Sequence, residues 1–304
     1  CGRCQDPRSW HDGEPVAMSA VRPPPEALFI AGGISQYLGA AIAIGLFDDI
    51  APGGVALLRV LGAGLVLIGF RRSWRRSWSR QDLLWAGGFG AALALMNLFI
   101  YLAMDRLPLG NAVAIEFLGP IAVAAIGSRT VRSAGSLVLA ASGVVILAGV
   151  QDEGTLLGVL FALLAGTMWA AYIVLGHRVA HNGLAVDGLG VGMLIGAFVI
   201  GPFGLNQLDI AFTSPRILLL ALVAALLSNV IPYGIDQFVM KEISRSRFAF
   251  LQALLPVTAT VVGFLSLSQS PRWSECLGIG AVILAIAISG GNRGFQSSTS
   301  EEKT

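Results

Sequence analysis

Charged residues are scarce in this chain. Asp, Glu, Lys and Arg make up 12% of its 304 residues, whereas hydrophobic residues make up 55% and the mean hydropathy is +0.75. A soluble globular domain carries about twice that share of charge, so the composition predicts a polytopic membrane protein. The formal net charge of +2 provides no basic face for nucleic acid, and we expect no DNA or RNA partner.

Cysteine and enzyme motifs are also rare. The three cysteines, Cys1, Cys4 and Cys276, cannot form a disulfide framework, and no second cysteine pair accompanies the CGRC at the start. The HRVAH segment from His177 has the spacing of a zinc helix, but arginine stands where a metalloprotease needs its glutamate. The sequence contains no GxGxxG, no Walker loop and no GxSxG elbow. We therefore expect no metal, no cofactor and no enzymatic activity.

Long apolar runs dominate what is present. A helix needs about 20 residues to cross the hydrocarbon core, and runs that are continuously apolar predict helices rather than barrel strands. The predicted fold is an all-α membrane protein with ten transmembrane helices, between a disordered cytoplasmic N-terminal tail at residues 1–25 and a cytoplasmic C-terminal tail at residues 291–304. The ten runs cover residues 27–46, 53–70, 83–103, 109–127, 134–150, 155–176, 185–203, 216–238, 248–267 and 274–290.

The basic residues of the loops predict the orientation. With the N-terminus inside, the inner loops hold eleven Lys and Arg residues and the outer loops hold three. Because cytoplasmic loops carry an excess of these residues, we predict a multi-pass protein of the plasma (inner) membrane with both termini in the cytoplasm. The segment RRSWRRSWSR is interpreted as a cytoplasmic anchor with interfacial tryptophans, and the alternative is a patch that binds a partner.

The two halves of the chain carry a weak repeat. A shift of 136 residues places FVMKEISRSRFAFLQALLP, from Phe238, on LAMDRLPLGNAVAIEFLGP, from Leu102. We divide the chain into a first repeat at 26–150 (helices 1–5) and a second at 151–290 (helices 6–10). Since each half has an odd number of spans, the halves must insert with opposite topology. Inverted repeats are typical of secondary transporters, whose substrate sites lie near the midplane between the halves.

Glu116 is the most informative single residue because it lies near the middle of the fourth run. A carboxylate at the bilayer centre costs roughly 2.5–3.5 kcal/mol, so such a residue usually faces a cavity, a partner or a proton path. The repeat pairs Glu116 with Gln252, and each is followed four residues later by a proline that can bend its helix. Ordinary membrane-helix kinks are the alternative interpretation of both prolines.

Other polar residues inside the runs extend this candidate pathway. Arg59 lies near the middle of helix 2 and could pair with Glu116, bind a solute carboxylate, snorkel to the surface or form a structural ion pair. Polar faces on helices 3 and 8 and aromatic groups on helices 1 and 6 could line a cavity, or serve only interhelical hydrogen bonding, interface anchoring and packing. The candidate solute-binding residues are Glu116, Arg59, Asn97, Tyr101, Trp169, Tyr172, Asn229, Tyr233 and Gln252, with Gln36 and Tyr37 as a further wall, and the candidate proton-carrying residues are Glu116 and Asp236.

Four segments resemble the EamA type of the drug/metabolite transporter superfamily, and within it the inner-membrane threonine and homoserine exporter branch. They are APGGVALLRVLGAG, MNLFIYLAMDRLPLGNAVAIEFLGPIAVA, GTMWAAYIVLGHRVA and LSNVIPYGIDQFVM. The resemblance implies a ten-helix secondary carrier that exports small amino acids or similar metabolites. The sequence departs from this branch at Leu255, where a glutamate is expected, and at Gln269, which replaces another glutamate.

The residues and the resemblance together predict a secondary active exporter that works by alternating access. The solute ammonium would lie near Glu116 and its carboxylate near Arg59 or Asn97, and protonation of Glu116 would couple release to the proton gradient. The expected partners are a small-molecule solute, the lipid bilayer and a proton. The alternatives are a multidrug or metabolite efflux carrier of the same fold, which would accept bulky aromatic cations, and a non-transporting membrane scaffold or sensor.

Overall fold

The computed structural model describes residues 25–128, 130–149, 155–242, 254–267 and 272–290. Within these residues all regular structure is helical, which confirms the predicted all-α class. Short 3₁₀ turns lie at Ser73–Arg75, Gly201–Phe203 and Leu205–Gln207. The α-helices are α1 (Pro25–Ile44), α2 (Pro52–Arg71), α3 (Arg80–Met104), α4 (Leu109–Glu116), α5 (Leu118–Ser128), α6 (Val131–Gly149), α7 (Thr155–His181), α8 (Ala185–Ile200), α9 (Leu208–Thr213), α10 (Pro215–Ala225), α11 (Ile231–Glu242), α12 (Leu254–Leu267) and α13 (Trp273–Gly290).

Among the residues that the structure describes, six helical stretches are long and apolar enough to cross a membrane, and each overlaps a predicted run. They are Ala27–Ile44, Pro52–Arg71, Arg80–Met104, Leu156–Ala180, Ala185–Phe203 and Pro215–Gln237. Shorter apolar helices overlap the four remaining runs at Leu109–Val123, Ala134–Ile146, Thr258–Leu267 and Trp273–Ala285. The chain is therefore a helical membrane protein.

Local sequence sets several helix ends. Ser79 caps α3 in a capping box, in which its hydroxyl accepts from the Asp82 N–H at 3.0 Å and the Asp82 carboxylate accepts from the Ser79 N–H at 3.2 Å. Pro52 occupies the start of α2, where a missing N–H costs nothing. At the other end of α2, Arg72 adopts a left-handed conformation with φ 55° and donates its N–H to the Ile68 carbonyl.

The predicted fourth span is interrupted between α4 and α5. Pro120 has no N–H, so it cannot donate to the carbonyl of Glu116 four residues earlier, and the helix breaks at Phe117. Hydrogen bonds on both sides preserve the direction of the chain: the Phe117 N–H donates to Val113 at 3.1 Å and the Ile121 N–H donates to Phe117 at 3.2 Å. The break places Glu116 at the end of a helical segment rather than within one.

A second irregularity divides the predicted eighth span. Between α10 and α11 the chain forms one turn of π-helix, Leu226–Val230, which we call the π turn. Single π turns inside α-helices occur frequently at functional sites. This one packs against the C-terminal half of α1, because a side chain on Gly39 would lie 2.8 Å from Ser228.

The helices of the two halves of the sequence pack mainly against each other. Helix α3 packs on α7 and α8, α2 packs on α8 and α10, and α1 packs on α10, α11 and α12. Helix α4 contacts both α7 and α12, and α6 packs along α13. Glycine allows a close approach where Gly90 of α3 meets the backbone of Gly192 in α8. This packing surrounds the candidate residues with helices from both halves.

Candidate solute-binding cavity

An internal cavity lies where α1, α2, α3, α4, α7, α11 and α12 meet. Its volume is about 50 Å³, which is room for roughly three to five water molecules. Eight predicted site residues line it: Arg59, Asn97, Tyr101, Glu116, Trp169, Tyr172, Tyr233 and Asp236. Gln36 and Tyr37 line it as well. The cavity thus brings together side chains that are up to 200 residues apart in the sequence.

Arg59 is the central polar side chain, only 3% exposed, and its donors meet neutral oxygens from both halves of the chain. Its Nε donates to the Ser228 hydroxyl at 3.0 Å, and its Nη2 donates to the same hydroxyl. Nη2 also donates to the Asn229 side-chain oxygen, at a distance of 2.5 Å. Its Nη1 donates to the Asn97 oxygen at 3.3 Å, while the guanidinium lies 4.4 Å from the centre of the Tyr101 ring. These contacts satisfy hydrogen bonds without neutralising the charge.

Glu116 lines the same cavity and is 6% exposed. Ion pairs join Arg71 to Asp187 and Arg106 to Asp105, and within the described segments neither Arg59 nor Glu116 takes part in one. The interpretations of Arg59 as the partner of Glu116 and as a snorkelling side chain therefore do not match this arrangement. One buried cation and one buried carboxylate instead share a cavity without contacting each other.

Aromatic rings from α3 and α7 form one wall of the cavity. Trp169 packs edge-on against Phe117 with ring centres 4.6 Å apart. Phe117 is the residue at which the helix breaks, next to Glu116. The Tyr172 ring stacks on the Phe89 ring with centres 5.0 Å apart, and its centre lies 5.8 Å from that of the Tyr233 ring in α11. These contacts pack the rings against one another, as aromatic side chains in a buried wall commonly do.

Helix α11 and the π turn before it supply the remaining predicted polar groups. Tyr233 and Asp236 line the cavity, whereas Asn229 lies behind it and is fully buried. In the part of the chain that the structure describes, the Asn229 amide nitrogen has no hydrogen-bond partner. Gln252 lies outside the described residues, as does Gln269, so the predicted pairing of Glu116 with Gln252 stays a prediction.

Ser228 is the site residue that sequence reasoning missed. It lies in an apolar run, LLSNVIP, where a single serine gives no periodic signal. The residue reaches Arg59 only because the π turn changes the phase of the helix at this point. The proline at position 232, which follows the turn, was the one local sign of irregular backbone.

A bundle of apolar helices around a buried, charged cavity is the architecture of a membrane transporter. The sequence pattern of the EamA-like transporter family matches residues 156–291. The chain also shares 34% identity over 251 residues with the threonine/homoserine exporter RhtA of Escherichia coli K12, over 81% of this chain and 84% of that protein. The chain therefore belongs to the EamA-like transporter family, in the branch that contains RhtA.

Two further comparisons agree with this assignment. The threonine/homoserine exporter RhtA of Salmonella typhimurium LT2 is also 34% identical over 251 residues, with the same coverage of both chains. A solved crystal structure of a protein with 18% identity superposes with a TM-score of 0.56, over 88% of this chain and 98% of the other. The first comparison supports the family and the second supports the fold alone. The protein is thus a transporter, and the predicted resemblance is confirmed.

Proposed function

We propose that this protein is a secondary active exporter of small amino acids or closely related metabolites. The observation that carries the proposal is the presence of two opposite charges, Arg59 and Glu116, on the wall of one buried cavity without an ion pair to either. A zwitterionic amino acid carries the complementary pair, a carboxylate and an ammonium group. The threonine/homoserine exporters that resemble this chain support the same class of solute.

Arg59 is proposed to bind the solute carboxylate. A buried guanidinium is costly unless a counter-charge compensates for its lost hydration, and its present partners are all neutral. A carboxylate can bind the two parallel N–H groups of a guanidinium at once, which is the strongest hydrogen-bonded arrangement open to it. Asn229, which lies behind the cavity, helps to hold the guanidinium in place because its side-chain oxygen accepts from Nη2.

The size of the cavity favours a compact solute. Its volume is comparable to a few water molecules, and the stacked rings of Tyr172 and Phe89 close one side. Bulky aromatic cations, the solutes expected of a multidrug carrier, would need this wall to move. A small amino acid needs only the displacement of water, which supports the amino-acid proposal over the multidrug alternative.

We infer that the ten spans form two inverted five-helix repeats. In this arrangement α1, α2, α3, α4–α5 and α6 correspond to α7, α8, α10–α11, α12 and α13. The packing supports this correspondence. Exchanging the halves converts the contact of α1 with α10–α11 into that of α7 with α3. It also converts the contact of α1 with α12 into that of α7 with α4–α5. The pairs α2 with α8 and α6 with α13 exchange into themselves. Such an axis is typical of alternating access around a fixed site.

Proton coupling is proposed to act at Glu116, with Asp236 as a second carboxylate in the same cavity. An ionised Glu116 attracts the solute ammonium, and protonation from the proton-rich side removes that attraction and releases the solute. We further propose that the protein lies in the inner membrane with both termini in the cytoplasm, as the eleven basic residues of the inner loops indicate.

Efflux from proteoliposomes tests the proposal. Purified protein is reconstituted with radiolabelled threonine inside, and efflux is followed with and without an imposed pH gradient. We expect Glu116→Gln to abolish the pH dependence of efflux. Asp105→Asn, which removes a partly exposed carboxylate that pairs with Arg106, is the matched control and should leave efflux unchanged. Efflux by Glu116→Gln with an unaltered dependence on pH would exclude the role of this residue, and an inactive wild-type protein would exclude threonine as a solute.

A further inference from the structure

The π turn depends on a hydrogen bond from another helix. Within the turn the Ile231 N–H donates to the Leu226 carbonyl five residues earlier. The next residue, Pro232, has no N–H, so the Leu227 carbonyl lacks the donor that the π register would supply. The Ser35 hydroxyl of α1 donates to this carbonyl at 2.6 Å. Ser35 therefore satisfies a backbone acceptor that lacks its π-register donor because of the proline.

The π turn holds Ser228 against the guanidinium of Arg59. The Ser228 hydroxyl donates to the Ala224 carbonyl one turn earlier, so its lone pairs are free to accept from Arg59. It accepts from Nε at 3.0 Å and from Nη2 as well. Gly39 makes the approach of α1 to this turn possible, because a side chain there would lie 2.8 Å from the Ser228 backbone nitrogen and Cβ.

The position of the Ser228 hydroxyl is the one that a carboxylate would use. The Nε and Nη2 hydrogens of a guanidinium point in parallel along one edge, and a carboxylate binds that edge with its two oxygens. In this structure a single neutral hydroxyl oxygen bridges both donors instead. A solute carboxylate and the Ser228 hydroxyl therefore compete for the same edge of Arg59.

We propose that Ser228 is an internal competitor for the solute carboxylate, held in place by Ser35 through the π turn. This inference rests on the proposed function, since it assumes that Arg59 binds the carboxylate of an amino acid. Occupation of the guanidinium edge in the empty carrier lowers the apparent affinity for the solute, because only the fraction of molecules with a free edge can bind.

The competition predicts that removal of a polar contact tightens binding. In Ser228→Ala the guanidinium edge is free, and we expect the apparent KM for threonine efflux to fall roughly tenfold, which is the order expected for loss of a hydrogen bond to a charged group. The thermal shift that threonine induces in detergent should rise in the same variant. Ser35→Ala touches none of the groups on Arg59 but removes the support of the π turn, so it should change the KM in the same direction by a smaller factor.

Matched variants separate this effect from general changes in stability. Ser142→Ala removes an exposed serine of α6 that also donates to a carbonyl four residues earlier, and its KM should equal that of the wild type. Should Ser228→Ala fail to fold, Ser228→Cys keeps the side-chain volume with a weaker acceptor and should still lower the KM.

Each outcome distinguishes the inference from the proposed function. A KM that is unchanged or raised in the Ser228 and Ser35 variants, with a wild type that binds and exports threonine, would overturn the competition and leave the amino-acid site intact. A wild type that neither binds nor exports threonine, alanine or serine would overturn the proposed function itself. A lowered KM in Ser228→Ala together with an unchanged KM in Ser142→Ala supports both.

Discussion

Arg59→Met is the most direct test of how the cavity distinguishes its solute. Methionine has a similar length and no charge, so it retains packing against Tyr101 while it removes every guanidinium donor. Two former partners keep another hydrogen bond, because Ser228 donates to Ala224 and the Asn97 amide donates to the Leu93 carbonyl at 2.9 Å. We therefore expect the variant to fold, with a change in stability of about 1–3 kcal/mol at most.

The magnitude of the binding effect follows from the burial of Arg59. Loss of one member of a buried charge pair at a binding site costs about 2–5 kcal/mol, and about 1.4 kcal/mol corresponds to a tenfold change in affinity. Arg59 is 3% exposed, so little solvent screens its contact with a solute carboxylate. The wild type should consequently prefer threonine over threoninamide, which lacks the carboxylate charge, by at least about 30-fold.

Competition measurements give the decisive readout. Threonine and threoninamide are each used to compete with labelled threonine in proteoliposomes, and their thermal shifts are compared in detergent. Arg59→Met should bind threonine weakly and should no longer distinguish it from threoninamide. Two results would refute the reasoning: a wild type that binds both compounds equally, or a variant that still prefers threonine by a large factor.

Three further predictions concern coupling, packing and topology. Glu116→Gln should exchange labelled for unlabelled solute at equal pH on both sides, yet should not drive net efflux with a pH gradient, which a counterflow assay can measure. Gly192→Leu should lower the melting temperature by several degrees because a side chain there would lie 2.5 Å from a carbonyl of α3. The control Gly69→Ala has open space around the added methyl group and should be neutral or slightly stabilising. In a cysteine-free background, a cysteine at the exposed position Trp74 should react with an impermeant maleimide only from the cytoplasmic side, and one at the exposed Leu205 only from the outer side.

Much of the site could be predicted because a membrane makes polar residues conspicuous. Arg59, Glu116 and Asp236 stand in apolar runs where a charge is expensive, so each was a candidate from the sequence alone. Asn97 and Tyr101 could be assigned to a common face because residues four apart in a helix lie on one side. All five line the cavity.

The irregular backbone was less predictable, for a physical reason. The break at Phe117 has a sequence cause in Pro120, but the same proline could have produced a continuous bent helix. The π turn gives still less warning, because the support that permits it comes from Ser35, almost 200 residues away in the sequence. Ser228 was missed for this reason: its role depends on a tertiary hydrogen bond and on no local pattern. The helix α9, six residues long, was likewise assigned to a loop.

The ionisable residues around the cavity also explain why two carboxylates are useful to one exporter. Its charged lining residues are Arg59, Glu116 and Asp236, so the cavity holds one unit of negative charge when both carboxylates are ionised. A zwitterionic amino acid adds no net charge, and one proton then makes the loaded cavity neutral. One proton neutralises the empty cavity in the same way, and a neutral cavity is the least costly to enclose in low dielectric. In this proposal Asp236 holds that balancing proton, which leaves Glu116 to hold either a second proton or the solute ammonium, while Arg59 binds the other end of the solute.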